Sequence, residues 1–252
     1  MRFTEIGQQL RAYRLESGLR AEEIAARLGV SRAALYRYEK GEVIKLDTIN
    51  RLAELLKISP LSLLGIGVEY YNRPVGYFER LRQVEESADQ ILMMAGPICY
   101  LTTSEAYDAV LAEVYDTVAE QSNGERIALR SNAEQVMGIL AARKRMYGMR
   151  RPGIIAMVSI AALQRLLEFG VAGPVAMPDR LRRQCREVAA GEIENMAAYM
   201  ETEPMGLQFG LIAGADPSSS FQILRSRDRV TLAVNPFSTD QHPSAQDRKS
   251  VV

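Results

Sequence analysis

Cysteine and histidine are nearly missing from this chain. Its 252 residues include two cysteines, Cys99 and Cys185, and one histidine, His242. The thiols are far apart, and neither has a second cysteine or a histidine at ligand spacing. That argues against a structural zinc site and reads both as small buried hydrophobes in a reducing compartment. No run approaches the ~18 consecutive apolar residues of a membrane span. The amino end, MRFTEIGQQLRAYR, lacks the apolar core of a secretory signal, so a cytoplasmic protein without a membrane partner is expected. An excess of one charge is missing too, since 31 basic and 31 acidic residues cancel. A neutral chain at first argues against nucleic acid, but the charge is unevenly placed. Residues 1–64 carry eleven basic against eight acidic residues, and the remainder carries twenty against twenty-three.

What is present begins with helical periodicity. Ile6, Leu10 and Tyr13 share one face of a first helix that stops near Ser17-Gly18. A short second helix runs from about Ala21 to Leu28, with Ile24, Ala25 and Leu28 on its apolar side. Gly29 follows, where a helix end calls for positive φ. Ser31 is a good N-cap for a third helix, Ser31 to Lys40, which Gly41 ends. A fourth helix places Leu46, Ile49, Leu52, Ala53 and Leu56 at core spacing, and Pro60, Leu61 and Leu64 read as a short fifth. A short helix, a glycine turn and a serine-capped helix together have the sequence form of a helix-turn-helix.

The segment GLRAEEIAARLGVSRAALYRYEKGE resembles the DNA-binding domains of Xre-type regulators, the class that includes the phage repressor and Cro domains. The likeness spans Phe3 to about Leu64 and rests on A-x-x-L-G-V-S-x-x-x-L-x-x-Y-E-x-G. It implies a five-helix repressor-like domain that dimerises and lays its third helix in the major groove of double-stranded DNA. With Leu35 and Tyr38 turned inward, Arg32, Ala33, Tyr36 and Arg37 are left for base contacts. An arginine can grip guanine O6 and N7, and a small apolar side chain can touch a thymine methyl. Ser31 and Lys40 are placed for phosphate. The bland alternative is that these arginines only solvate a helix. Arg14 and Glu39 match a family ion pair joining helices 1 and 3, the alternative being two separate surface charges. One departure stands out: the family commonly opens helix 2 with Thr or Ser and then Gln, and here Arg20 and Ala21 occupy those places. Arg20 is the substitute phosphate contact, but the family's half-site preference does not transfer.

Residues 1–66 are therefore read as the DNA-binding domain and 67–77, GVEYYNRPVGY, as a linker. An α/β dimerisation and effector domain is read over 78–237, and a polar, disordered tail over 238–252. In the α/β part the pattern predicts helices over 78–94, 104–121, 132–147, 160–169 and 178–200. About five strands are expected, at 98–101, 153–158, 207–213, 221–224 and 230–234. The spacing resembles, at fold level only, the phospholipase-D-like α/β fold, without its H-x-K-x-x-x-x-D catalytic pattern.

No Walker loop, G-x-G-x-x-G, G-x-S-x-G or HExxH occurs, so neither catalysis nor a cofactor is expected. Glu192, Glu194, Glu201 and Glu203, like Asp108, Glu113 and Asp116, read as solvated faces. The basic clusters Arg143, Lys144, Arg145, Arg150, Arg151 and Arg180, Arg182, Arg183, Arg186 are either solvated helix faces or part of an anion-binding rim. Such a rim, with Ser159 at a strand-to-helix junction, would suit a small acidic effector. The leading expectation is a homodimeric transcriptional regulator binding a two-fold operator and sensing a small molecule. The alternative is an antitoxin-like module whose second domain binds a protein.

Overall fold

The apolar stripes of the first sixty residues close on one another as five helices. The structure, a computed structural model, describes residues 3–94, 96–122, 126–214, 220–235 and 250–251. Helix α1 (Phe3–Ser17) buries Ile6, Leu10 and Tyr13. Helix α2 (Ala21–Leu28) buries Ile24, Ala25 and Leu28, and stops at Gly29, whose φ of 70° is left-handed. Helix α3 (Arg32–Glu39) starts at Ser31, whose hydroxyl accepts from the Ala34 N–H at 3.0 Å. Helices α4 (Leu46–Leu56) and α5 (Pro60–Leu63) complete the bundle. Two core expectations are corrected. Leu46 opens α4 beyond the edge of the core and is 67% exposed. In the single turn of α5 only one side chain can face inward, and it is Leu63, with Leu61 in solvent.

The segment 67–77, expected as a linker, is instead built into this unit, which comprises Met1–Gln83 with Lys249–Val252. Tyr70–Tyr71 form strand β1, paired antiparallel with Ser250–Val251. Those two residues of the expected disordered tail are therefore in a strand. The rest of that tail, 238–249 and 252 with His242, lies outside the described residues. Pro74 does not interrupt a helix but begins one, α6 (Pro74–Ser87), at a first-turn position where its missing N–H has no partner to lose.

What holds 67–83 to α1 is polar and buried. The Glu69 carboxylate takes the guanidinium of Arg80 on both oxygens, at 2.8 and 3.0 Å. It also accepts from the Tyr71 hydroxyl at 2.9 Å and from the Gln9 side-chain amide. Tyr13 stacks on Tyr71 with ring centres 5.3 Å apart. Burial, followed by the Glu69 charge, pushes both phenols well above their ordinary range, so they remain neutral donors.

The second unit, Val84–Arg248, is a mixed five-stranded sheet with helices. Its elements are β2 (Gln90–Met94), α7 (Glu105–Gln121), α8 (Arg126–Arg150), β3 (Gly153–Ser159), α9 (Ile160–Phe169), α10 (Asp179–Thr202), β4 (Leu207–Ile212), β5 (Ser220–Arg225) and β6 (Val230–Asn235). Strand order is β6-β5-β2-β3-β4. Strands β2, β3 and β4 run parallel, while β5 is antiparallel to both β2 and β6. The expected helix over 78–94 ends at Ser87. The apolar run Gln90–Met94 then becomes the central strand, because its backbone bonds to β3 on one side and β5 on the other. The expected strand at 98–101 is a loop with a 3-10 turn at Tyr100–Thr102. Pro97 offers no N–H, and the Thr102 and Thr103 hydroxyls bond back to the Cys99 and Tyr100 carbonyls at 3.0 and 2.9 Å. Both cysteines are buried and unbridged, and burial pushes the Cys99 thiol up to about 11. Among the described residues, no helix is long and apolar enough to cross a membrane.

Breaking a buried ion pair from one side strands a charge. Arg80→Met should therefore lower the unfolding free energy by about 3–5 kcal/mol, measured by urea titration of the whole chain. A loss below about 1 kcal/mol, the range of exposed pairs, would show that Glu69 is solvated in solution.

Candidate nucleic-acid interface

Helix α3 is set down on α1 by a close approach and a buried carboxylate. A Cβ on Gly7 would lie 2.5 Å from the Tyr38 carbonyl oxygen and 2.6 Å from that of Glu39. Glycine at position 7 therefore lets the two helices meet backbone to backbone. Gly41, with φ of 95°, turns the chain away where a side chain would strike the Thr4 backbone at 2.8 Å. Next to this contact Glu39 is buried and takes the Arg14 guanidinium on both oxygens, one of them at 3.2 Å. Arg11 approaches the same carboxylate at 4.0 Å and donates to Glu79 at 2.7 Å. The structure thus brings Arg14 and Glu39 together. Arg11 and Glu79 also belong to this cluster, and the sequence reading missed them. Their separation of 68 residues leaves no local signal. Burial works to raise the Glu79 pKa, but Arg82 and Arg11 more than offset it and hold the carboxyl below its ordinary value.

With that side of α3 fixed, the other side faces solvent. Leu35 is fully buried and Tyr38 half-buried, while Ser31, Arg32, Ala33, Arg37 and Lys40 are exposed and Tyr36 is half-buried. Arg32 lies over the Tyr36 ring at 5.3 Å and donates to its hydroxyl at 3.2 Å. Three exposed arginines here meet carboxylates: Arg32 with Glu22 at 2.7 Å, Arg37 with Glu42 at 2.7 Å, and Arg20 with Glu23 at 2.9 Å. Arg20 is the N-cap of α2, and its own N–H is bonded by Glu23 at 3.1 Å.

The expected anion rim of the second unit does not assemble. Arg143 is only 3% exposed and is clamped by both oxygens of Glu85, at 2.8 and 2.7 Å, so it cannot line a rim. Arg150 reaches Asp89 at 3.9 Å, Arg145 is exposed within α8 and Arg151 is exposed beyond its end. Ser159 is buried and caps α9 by accepting from the Ala162 N–H at 3.4 Å. Two acidic residues read as solvated are likewise engaged. Glu192 is buried and accepts from the Ser104 N–H at 3.0 Å and from its hydroxyl. Asp108 accepts from the Tyr100 hydroxyl at 2.8 Å and from Lys144 at 2.7 Å. The hollow beside Cys99, Thr102, Glu192 and Tyr199 has room for about one water.

Residues 5–63 match the helix-turn-helix domain family. A protein of Pyrococcus horikoshii, provisionally described as an HTH-type transcriptional regulatory protein, is 31% identical over 144 residues, covering 52% of this chain and 45% of that protein. The alignment is longer than the helix-turn-helix match, so the likeness is not confined to that domain, yet it spans less than half of the relative. No solved structure matches the chain significantly.

The Arg14–Glu39 contact makes a direct prediction. A double-mutant cycle with Arg14→Ala and Glu39→Gln, read by chemical denaturation, should return a coupling of roughly 0.5–3 kcal/mol. Additive effects would mean that each residue acts through other neighbours, with Arg11 the first to examine.

Proposed function

We propose that this protein is a DNA-binding transcriptional regulator that is not an enzyme, in which α3 enters the major groove and the second unit dimerises the chain and senses a small molecule. The observation that carries the reading is the solvent-facing set Arg32, Ala33, Tyr36 and Arg37 on a serine-capped helix of a helix-turn-helix domain. In such domains the second helix of the motif presents its early residues to base edges. The description of the Pyrococcus horikoshii relative as an HTH-type transcriptional regulatory protein supports the same reading. Two copies on a two-fold operator would address half-sites about one DNA turn apart, ~34 Å. The phospholipase-D-like likeness belongs to this proposal as a binding fold without its catalytic histidine. Effector sensing rests on the hollow beside Thr102 and Glu192 opening, since it has room for little more than one water. A cytoplasmic location follows from the role.

Fluorescence anisotropy on a selected operator and on random duplex tests the assignment. Arg37→Ala should lose on the order of 1–3 kcal/mol on the operator and relax one base position. Equal weakening on both duplexes would show that Arg37 meets only phosphate. Glu42→Gln removes the carboxylate that holds Arg37 and a negative charge from the DNA-facing side, so it should tighten binding to both duplexes. Unchanged or weaker binding by Glu42→Gln would place Arg37 away from the DNA.

A further inference from the structure

The sheet of the second unit has two unlike faces. Residues paired across neighbouring strands point the same way, so the register sorts them. One face carries Ile91, Met93, Ile154, Ala156, Leu224 and Ala233, all buried. The successive parallel strands β2, β3 and β4 require right-handed crossovers in one direction, which puts their connecting helices on a single side. The other face presents a continuous row through all five strands, Leu232, Ile223, Leu92, Ile155 and Gln208. No residue of that row is buried. Beside it Met157 lies across Gly210, where a Cβ would come within 2.6 Å of the methionine sulfur. Leu232 is 52% exposed and Val230 61%.

We propose that this face packs against the same face of a second copy of the chain, so that the regulator dimerises sheet to sheet through its second unit. The inference rests on the dimeric reading above and names the surface that reading leaves open. Charge favours a second copy as the occupant. The only ionisable side chain on this face of the five strands is Arg225, at the end of its row, so two-fold pairing opposes apolar side chains and not like charges. Size agrees as well. Five strands at about 4.8 Å spacing and six residues at about 3.3 Å rise give a flat footprint of roughly 500 Å². Side chains corrugate that footprint, so two copies remove on the order of 1,000 Å² or more from water, the threshold of a specific interface. The geometry is a familiar one, since sheets stack face to face about 10 Å apart with interleaved aliphatic side chains.

Sedimentation equilibrium of the full chain tests this. The wild type should run at twice its 28.1 kDa mass. Leu232→Lys, which sets two ammonium groups into the two-fold contact, should weaken the dimer by about 100-fold or more while the helical circular dichroism is retained. Met205→Lys, at an exposed residue before β4, should leave the dimer unchanged. A dimer that survives both Leu232→Lys and Val230→Lys would overturn the assigned face while leaving the dimeric regulator intact. A monomeric wild type would overturn the face and the dimeric reading together, leaving DNA binding to be judged by the Arg37 experiment. If Leu232→Lys unfolds, Val230→Lys takes its place. Unfolding of both would show the face covered within one chain and would also overturn the proposal.

Discussion

The amino-terminal unit depends on one buried carboxylate. Glu39 ends the helix that carries the proposed base-reading residues, and its two oxygens are held by Arg14 with Arg11 close by. Burying an anion is costly unless it is paired and hydrogen-bonded. Once the cost is met by a fork from α1, the end of α3 can no longer drift relative to its scaffold. Glycine at position 7 makes the arrangement possible, since any side chain there would push the helices apart before the fork could close. Arg11 extends the same logic. By bonding Glu79 on α6 it makes the first helix a common support for the motif and for the segment that follows.

Much of this unit was legible in the sequence because its signals are local. Gly29, Ser31 and Gly41 mark helix ends by backbone conformation and capping, and the apolar spacing of α1, α2 and α4 follows the helical period. The Glu69–Arg80–Tyr71–Gln9 cluster was not legible. Gln9 lies 62 residues from Tyr71, and charged residues in a Gly- and Pro-containing stretch read as solvated linker. The same limit explains the second unit. Gln90–Met94 continues an apolar pattern from the helix before it, and only its pairing on both sides makes it the central strand. Arg143 belongs to a basic run by sequence, but its turn of α8 faces Glu85, which no spacing rule foretells.

Polar satisfaction also explains why the second unit lacks the expected anion rim. Lys144 bonds Asp108 and the Ser104 carbonyl, and lies 4.6 Å from the centre of the Tyr100 ring. Ser104 caps α7 and donates to Glu192 on α10. These contacts tie α7, α8 and α10 to the turn that follows the central strand. A cation already bonded in this way would have to leave a partner before it could meet an anion, and inside a protein that loss is larger than at the surface. Two cations of the basic run, Arg143 and Lys144, are therefore used to hold the helical layer in place.

The neutrality of the chain has a counterpart at the proposed DNA surface. Arg20, Arg32 and Arg37 each already hold a carboxylate, Glu23, Glu22 and Glu42. Exposed pairs of this kind are weak, about 0–1 kcal/mol each, so DNA can displace them. Displacement still subtracts from every phosphate contact, and the displaced carboxylates remain near the backbone. On random duplex, where attraction comes almost wholly from phosphate neutralisation, little is gained. On the right operator an arginine freed from its carboxylate gains two hydrogen bonds to one guanine, a term random sequence does not supply in register. Pairing the arginines in advance thus lowers affinity for both kinds of site, and the ratio between them is set by the base contacts that random sequence does not supply. That ratio decides occupancy when competing sites are numerous. A net charge of zero is then compatible with reading DNA, provided that two copies act together to recover the affinity each gives up.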